Sequence, residues 1–304
     1  MRAHRAQVPA RFADRVSPEE HRKAADYTLA KVRIATFELL LGALVILGWT
    51  LGGGLGALAG LWEASGLGAL NAGVGLILSF LLIGWLIELP LGLWRTFRLE
   101  ARFGFNRSTP ARYAKDQLLG LGLALALGAP LAWVMLWLMQ EAGALWWLWA
   151  WGVWIAFTLV LTWAFPVLIA PLFNKFTPLE SGELRQRIEG LLARCGFSSQ
   201  GIFVMDGSRR SGHGNAYFTG FGRNKRIVFF DTLVEALEAP ELEAVLAHEL
   251  GHFKRHHVLK RLLAMAGLSL LGLALLGWLM QQPWFYAGLG VGEAAPVKAL
   301  LLFL

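Results

Sequence analysis

Leu262 to Met280 reads LLAMAGLSLLGLALLGWLM, and this stretch decides the fold class of the chain. A helix needs about 20 predominantly apolar residues to cross the hydrocarbon core of a bilayer. The alternative, a buried helix in a large soluble core, is disfavoured because the stretch contains no charged residue. The sequence therefore predicts a membrane-spanning helix between 262 and 280.

Similar apolar stretches occur throughout the chain, which is 56% hydrophobic and only 16% charged. They run near 34 to 53, 67 to 94, 118 to 139 and 145 to 172, and a sixth begins at about 297. Five tryptophans between 146 and 154 crowd the start of the fourth stretch, as in an interfacial aromatic belt. We therefore predict a mostly α-helical, polytopic membrane protein.

The basic residues predict the orientation in the membrane. Three segments, 1–33, 95–115 and 175–261, hold 27 of the 28 Lys and Arg residues. The loops near 54–66, 140–144 and 281–296 contain none. The positive-inside rule therefore predicts a cytoplasmic amino terminus and a cytoplasmic segment after the fourth span. The net charge of +7 follows from this topology, so we expect a lipid bilayer as partner and no nucleic acid.

His248-Glu249-Leu250-Gly251-His252 lies just before the fifth span and carries the strongest chemical signal. On a helix, residues four apart share one face, so His248 and His252 can both reach one metal ion. Glu249 then lies beside the metal and acts as general base toward a water molecule. Pro240 and Glu241 favour a helix start, and we predict a helix from about 240 to 258. A solvated helix with incidental histidines is the alternative.

The polar segment 173–261 is predicted to be a small cytoplasmic α+β domain. A helix near 180 to 195 precedes three strand candidates at 202–205, 216–221 and 227–230. Residues 222–225 separate the last two strands as a turn would, which predicts a hairpin. An exposed strand edge beside the zinc helix can hold an extended substrate peptide.

Four segments follow from these patterns. They are a cytoplasmic arm at 1–33, a four-helix membrane domain at 34–172, the catalytic domain at 173–261, and the fifth span with the start of a sixth at 262–304. The arm has no apolar core, so it is not a cleavable signal peptide. Cys195 is the single cysteine, which excludes an internal disulfide. Asn106-Arg107-Ser108 matches a glycosylation acceptor, but in a loop expected to be cytoplasmic.

The chain resembles the type 1 CAAX prenyl endopeptidases, which are integral-membrane zinc metalloproteases. Besides the zinc motif, the resembling segments are Phe103–Asn106, Pro171–Phe176, Ser208–Ser211, Asn215–Phe218, Lys225–Val228 and Asp231–Leu233. The resemblance implies membrane helices around a water-filled chamber and one Zn²⁺ per full-length chain. It further implies zinc ligation by His248 and His252, catalysis by Glu249, and substrate main-chain contacts along Asn215 and Ala216.

One departure from the family concerns the third zinc ligand, which the family takes from a downstream glutamate. After His252 the only acidic residue is Glu293, which we expect on the opposite side of the membrane. His256 would make three ligands along one helix, a poor arrangement around a metal, and His257 is better placed as a supporting or surface group. The apolar ending after Leu300 suggests a truncated family member. We therefore expect the third ligand to be absent from this chain.

The leading hypothesis is a membrane zinc endopeptidase that hydrolyses peptides or proteins. By resemblance it removes the last residues of prenylated CAAX proteins; clearance of misfolded membrane proteins is the second substrate hypothesis. The alternative class is a nonhydrolytic membrane scaffold that keeps a structural zinc motif. We expect the plasma or inner membrane in a bacterium and the endoplasmic reticulum in a eukaryote. Glu38 and Glu88 lie inside apolar spans, where a carboxylate usually faces a cavity or a partner.

Overall fold

A computed structural model describes residues 5, 7–197, 199, 201–219, 226–255, 257–291 and 295–303, and only the backbone of 252 and 253. Among them, five helices are long and apolar enough to cross a membrane. They are α1 (Pro18–Trp49), α3 (Ala69–Phe103), α4 (Pro110–Glu141), α5 (Gly143–Phe173) and α9 (His257–Leu279). The five predicted spans and the multi-pass membrane class are confirmed. The short helices α2 (Gly54–Glu63), α10 (Pro283–Gly288) and α11 (Pro296–Phe303) complete this part of the fold.

The helix α1 begins at Pro18, well ahead of the apolar stretch that predicts it. Ser17 explains the early start: its Oγ accepts from the Glu20 amide at 3.2 Å, and the Glu20 carboxylate accepts from the Ser17 amide at 2.9 Å. This capping box satisfies two backbone donors at the helix start, and Pro18 suits the first helical position. Much of the predicted amino-terminal arm is therefore helical.

The helix α3 continues through Pro90 and is not broken there. Instead, its carboxyl-terminal part contains a π-helical turn at Arg95–Glu100. Near its amino end, a Cβ on Gly75 would lie 2.5 Å from the Trp62 ring, so a glycine is required where α2 packs on α3. The Trp62 Nε1 also donates to Ser79 Oγ at 3.1 Å, which fixes the ring across the two helices.

The polar segment contains a four-stranded sheet and three helices. The strands are β1 (Phe176–Pro178), β2 (Gly201–Met205), β3 (Ala216–Thr219) and β4 (Arg226–Phe230), in the order β1-β2-β4-β3. The helices are α6 (Glu183–Arg194), α7 (Asp231–Ala236) and α8 (Ala239–Lys254). β2 and β4 are parallel, whereas β3 and β4 pair antiparallel as the predicted hairpin. Residues 220–225, which include its predicted turn, lie outside the described residues.

One hydrophobic core joins α6, α8 and the sheet. Ile188, Ile227, Phe229, Leu242 and Leu246 are each at most 1% exposed. The alternation of β4 explains the sheet side of this core, because Ile227 and Phe229 point to the same face. The core thereby sets the rotation of α8, the helix that carries the histidine motif.

The chain forms two compact units, Met1–Gly104 with Leu279–Leu304, and Phe105–Trp278. Within the second unit, α4 packs on α5, and Trp151 Nε1 donates to the Ala266 carbonyl of α9 at 2.9 Å. These units group residues by contact and do not test the four predicted segments, which stay a prediction.

Candidate metal centre

The helix α8 presents the histidine motif on the side away from the hydrophobic core. Leu242, Leu246 and Leu250 recur every four residues and are buried, so they define the core-facing stripe. His248 lies two residues before Leu250, which is about 200° around the helix. Accordingly, His248 is exposed and Glu249 is half-buried. The exposed face therefore offers a nitrogen donor with a carboxylate beside it.

His252 occupies the next position on the exposed face, because the backbone of α8 stays helical through Lys254. The side chain of His252 is outside the described residues. Residues i and i+4 have Cβ atoms roughly 5–6 Å apart, a separation that two imidazoles can bridge with one metal ion. The backbone thus satisfies the condition that the spacing of the two histidines requires.

The predicted helix from 240 to 258 is too long. α8 ends at Lys254, and α9 begins at His257. Between them, Arg255 forms a turn in which its amide donates a hydrogen bond to the Gly251 carbonyl at 3.2 Å. His257 therefore belongs to the start of the fifth span. His256 lies outside the described residues.

The edge strand β3 packs against α8. The Phe230 amide donates to the Asn215 carbonyl at 2.9 Å, so the main chain of Asn215 is occupied by the sheet. Because hydrogen-bonding direction alternates along an antiparallel pair, the main-chain groups of Ala216 and Phe218 point away from β4. Within the described residues, no further strand covers that side.

The side chain of Asn215 acts on the same edge. Its Oδ1 accepts a hydrogen bond from the Ala216 amide at 2.9 Å, so this amide is bonded to the preceding side chain. The predicted substrate contacts of Asn215 and Ala216 stay a prediction. The neighbouring Tyr217 places its hydroxyl 3.9 Å from Met205 Sδ. Burial raises the pKa of this hydroxyl, which stays neutral at physiological pH.

Arg210 ties the loop before β3 to two membrane helices. Its Nε and Nη2 donate to the two carboxylate oxygens of Asp116 on α4 at 2.7 and 2.9 Å, and its Nη1 donates to Asn174 Oδ1 at 2.9 Å. Asn174 directly follows α5. Hydrogen bonding to Asp116 is the main reason why the pKa of Arg210 is raised, so the guanidinium stays charged. We call Arg210, Asp116 and Asn174 the Arg210 clasp, a cluster that no sequence pattern predicted.

A short extended segment after α3 strengthens the same loop. The Arg107 amide donates to the Arg210 carbonyl at 3.1 Å, and the Gly212 amide donates to the Phe105 carbonyl at 2.8 Å. The Phe105 ring stacks on His213 with centroids 4.1 Å apart. Asn106 thus lies in a segment whose main chain is hydrogen-bonded to this loop.

Asp231 holds the far end of the loop. Its Oδ1 accepts from the amides of Ser208 and Thr232 at 2.8 Å each, and its Oδ2 accepts from the Ser208 hydroxyl. Thr232 Oγ1 donates to the His213 carbonyl at 2.9 Å. The loop that leads into β3 is therefore held by hydrogen bonds at both ends, which helps to position the start of this strand.

The donor chemistry of α8 fits zinc, which binds imidazole nitrogen readily. Among the side chains that the structure describes, no group of three His, Cys, Asp or Glu residues gathers to hold a metal. His252 is not among those side chains, and a catalytic zinc site has three protein ligands. The assignment of His248 and His252 as zinc ligands therefore stays a prediction.

Glu38 and Glu88 meet inside the first unit. Both line a cavity of about 290 Å³ between α1 and α3, together with Arg95. The Arg95 guanidinium donates to the Glu38 carboxylate, so this intramembrane charge has a partner. Cys195 is exposed at the end of α6.

The described residues thus combine a polytopic membrane fold with a helix that carries an HExxH sequence and packs against an edge strand. Two family models match the chain: "CAAX prenyl protease N-terminal, five membrane helices" over residues 1–175, and "Peptidase family M48" over residues 178–294. The chain belongs to the CAAX prenyl protease family of M48 peptidases, as the sequence motifs predicted.

Individual relatives agree with this assignment. The CAAX prenyl protease 1 homolog of Oryza sativa subsp. japonica is 38% identical over 272 residues, which cover 84% of this chain and 63% of the relative. The CAAX prenyl protease 1 of Saccharomyces cerevisiae is 45% identical over 176 residues, or 57% of this chain and 38% of the relative. The crystal structure of Ste24p from S. mikatae matches with a TM-score of 0.91 at 29% identity, covering 99% of this chain and 75% of that one. The chain thus spans about two thirds or less of these curated relatives.

Proposed function

We propose that this protein is a zinc metalloendopeptidase that hydrolyses peptide bonds at a membrane. The observation that carries the proposal is the position of α8, which presents His248 and Glu249 on its exposed face while the edge strand β3 packs against the same helix. A metal-ligand helix beside an open strand edge can bind an extended peptide and act on its main chain. Membership in a peptidase family supports this reading.

The residues divide into three roles. His248 and His252 hold the metal, and by resemblance to the family the third ligand is a glutamate. Zinc, when bound, supplies Lewis-acid stabilisation of the developing charge on the scissile carbonyl oxygen. Glu249 takes the proton of the attacking water and delivers it to the leaving amine. Ala216 offers its amide and carbonyl to the substrate main chain, and Asn215 controls that amide.

For the substrate, we propose the carboxyl terminus of prenylated CAAX proteins. The names of the relatives from Oryza sativa and Saccharomyces cerevisiae support this choice. Quality control of membrane proteins would use the same site with unprenylated substrates. The distribution of basic residues supports a cytoplasmic catalytic domain. That topology corresponds to the inner or plasma membrane of a bacterium, or to the endoplasmic reticulum of a eukaryote.

Substitution of Glu249 by Gln in the native protein tests the proposal. We expect one zinc per chain in both proteins and a loss of peptide cleavage of about 10² to 10⁴-fold, the range for removal of a general base. Elemental analysis and cleavage of farnesylated and unfarnesylated peptides provide the readouts. Glu243→Gln on the same helix is the matched control. Glu243 pairs with Arg194 on α6 and has no predicted role at the metal, so this variant should keep peptide cleavage.

The outcomes separate the hypotheses. A nonhydrolytic scaffold would keep its cellular function in the Glu249→Gln protein. Equal cleavage of both peptides would favour quality control over CAAX processing. Measurement of zinc bound to residues 1–304 tests the expectation that they lack a third ligand. Tight zinc binding by these residues alone would show that a third ligand lies within them.

A further inference from the structure

An open cleft of about 990 Å³ lies within the first unit, between α1 and the carboxyl-terminal part of α3. Three arginines line it: Arg33, Arg98 and Arg102. Its remaining lining is apolar and includes Phe37 and Trp94. The cleft therefore combines a cationic end with an apolar wall, a pattern that neither the spans nor the peptidase site requires.

The sequence arranges the two chemistries in order along each helix. On α1, Phe37 follows Arg33 by one turn in the direction of the apolar run, and on α3, Trp94 precedes Arg98 by one turn. Residues three or four apart share a helix face. Both helices thus present a guanidinium and then an aromatic ring, in the order from the basic end of the span toward its apolar middle.

Within the described residues, none of the three arginines of the cleft forms a salt bridge. Asp26 lies within electrostatic range of Arg102. Three carboxylates of these helices have other partners: Asp26 binds Arg5, Glu38 binds Arg95, and Glu100 accepts from Tyr27. The lining of the cleft therefore carries a net positive charge.

The apolar wall is open to the surroundings of the helices. Phe37 is 53% exposed and Trp94 is 49% exposed, although both lie in or next to apolar spans. Such exposure is costly in water but favourable against acyl chains. A ligand with an anionic head and an apolar tail would satisfy both parts of the cleft.

We propose that this cleft binds an anionic phospholipid from the bilayer. The three guanidiniums bind the phosphate, because planar guanidinium forks match phosphate oxygens. An acyl chain lies along Phe37 and Trp94. Basic pockets between membrane helices recognise lipid headgroups in this way. A soluble phosphate would leave the apolar wall unfilled.

Lipid titration of the purified protein in detergent tests the proposal. The probes are dioleoyl-phosphatidylglycerol and dioleoyl-phosphatidylcholine, and native mass spectrometry counts the bound lipid. We expect one phosphatidylglycerol to bind in preference to phosphatidylcholine. The triple variant Arg33→Gln, Arg98→Gln, Arg102→Gln should lose that preference about a hundredfold, from about fivefold for each charge removed.

A second triple variant controls for general surface charge. Arg11→Gln, Arg15→Gln and Lys23→Gln remove the same charge from exposed positions that do not line the cleft, and should keep the preference. An equal loss in the two triple variants, or no loss in the first, would overturn the proposal. If the first variant does not fold, the single change Arg98→Gln must still weaken the preference about fivefold.

Competition identifies the ligand source. Inorganic phosphate and a farnesylated peptide with a free carboxylate should each fail to displace the phospholipid at equal concentration. Displacement by phosphate would show a simple anion site, and displacement by the peptide would assign the cleft to the substrate. Either result contradicts a phospholipid site.

Discussion

The helix α8 and the loop before β3 are held in place by opposite kinds of interaction. α8 is positioned from behind by a continuous apolar stripe that includes Leu242 and Leu246. The loop is positioned by directed polar bonds, chiefly the Arg210 clasp to Asp116 and Asn174. Apolar packing tolerates small shifts, whereas a bidentate ion pair fixes direction. Mutations that weaken the support of α8 and mutations that weaken the support of the β3 loop should therefore have different effects on zinc binding and on substrate binding.

The largest effect is expected when the apolar support of α8 is removed. Leu246→Ala deletes a side chain that is 1% exposed and should lower the free energy of unfolding by about 2–5 kcal/mol. Zinc affinity and cleavage should fall together, because the helix carries both. Thermal unfolding and zinc titration measure the change.

Leu259→Ala is the matched control for this cavity. Leu259 is 54% exposed on α9, so the same deletion there should cost far less. Similar losses at the two positions would mean that the buried stripe is not what positions α8.

A smaller and more selective effect is expected from the Arg210 clasp. Arg210→Gln removes the charge-assisted hydrogen bonds to Asp116 and should lower the free energy of unfolding by about 1–3 kcal/mol. KM for peptide should rise while zinc stoichiometry stays at the wild-type value, because the loop positions substrate and α8 holds the metal. Arg210→Lys should restore only part of the loss, since an ammonium lacks the planar fork.

Arg209→Gln controls for charge next to the clasp. Its side chain is exposed and pairs with Asp206, so its removal should change KM little. A fall in zinc binding for Arg210→Gln would contradict the separation of the two supports.

The smallest effect should come from Asn215, which holds the Ala216 amide. Asn215→Ala frees this amide and removes one neutral hydrogen bond, a change of about 0.5–1.5 kcal/mol. KM should shift a few-fold, and kcat should stay nearly constant. Asn215→Asp keeps the acceptor oxygen and serves as the control; equal shifts in both variants would exclude the proposed role of Oδ1.

The sequence predicted elements that depend on neighbours along the chain. The spans follow from long apolar runs, the hairpin β3–β4 from two strands around a polar turn, and α8 from its own start signals and periodicity. It missed β1, a three-residue strand that ends at Pro178 and pairs with β2. It also extended α8 past Lys254, because the apolar residues of the next helix continue the same pattern.

By itself, the sequence determined that this protein spans a membrane and belongs to a peptidase family, and it predicted a metal site at His248, Glu249 and His252. Each of these properties is encoded by residues close together in the chain. Only the tertiary structure decided the parallel pairing of β2 with β4 and the clasp of Arg210 on Asp116, residues that are 94 positions apart. Such contacts depend on where the folded chain brings distant polar groups together, and no local periodicity encodes that.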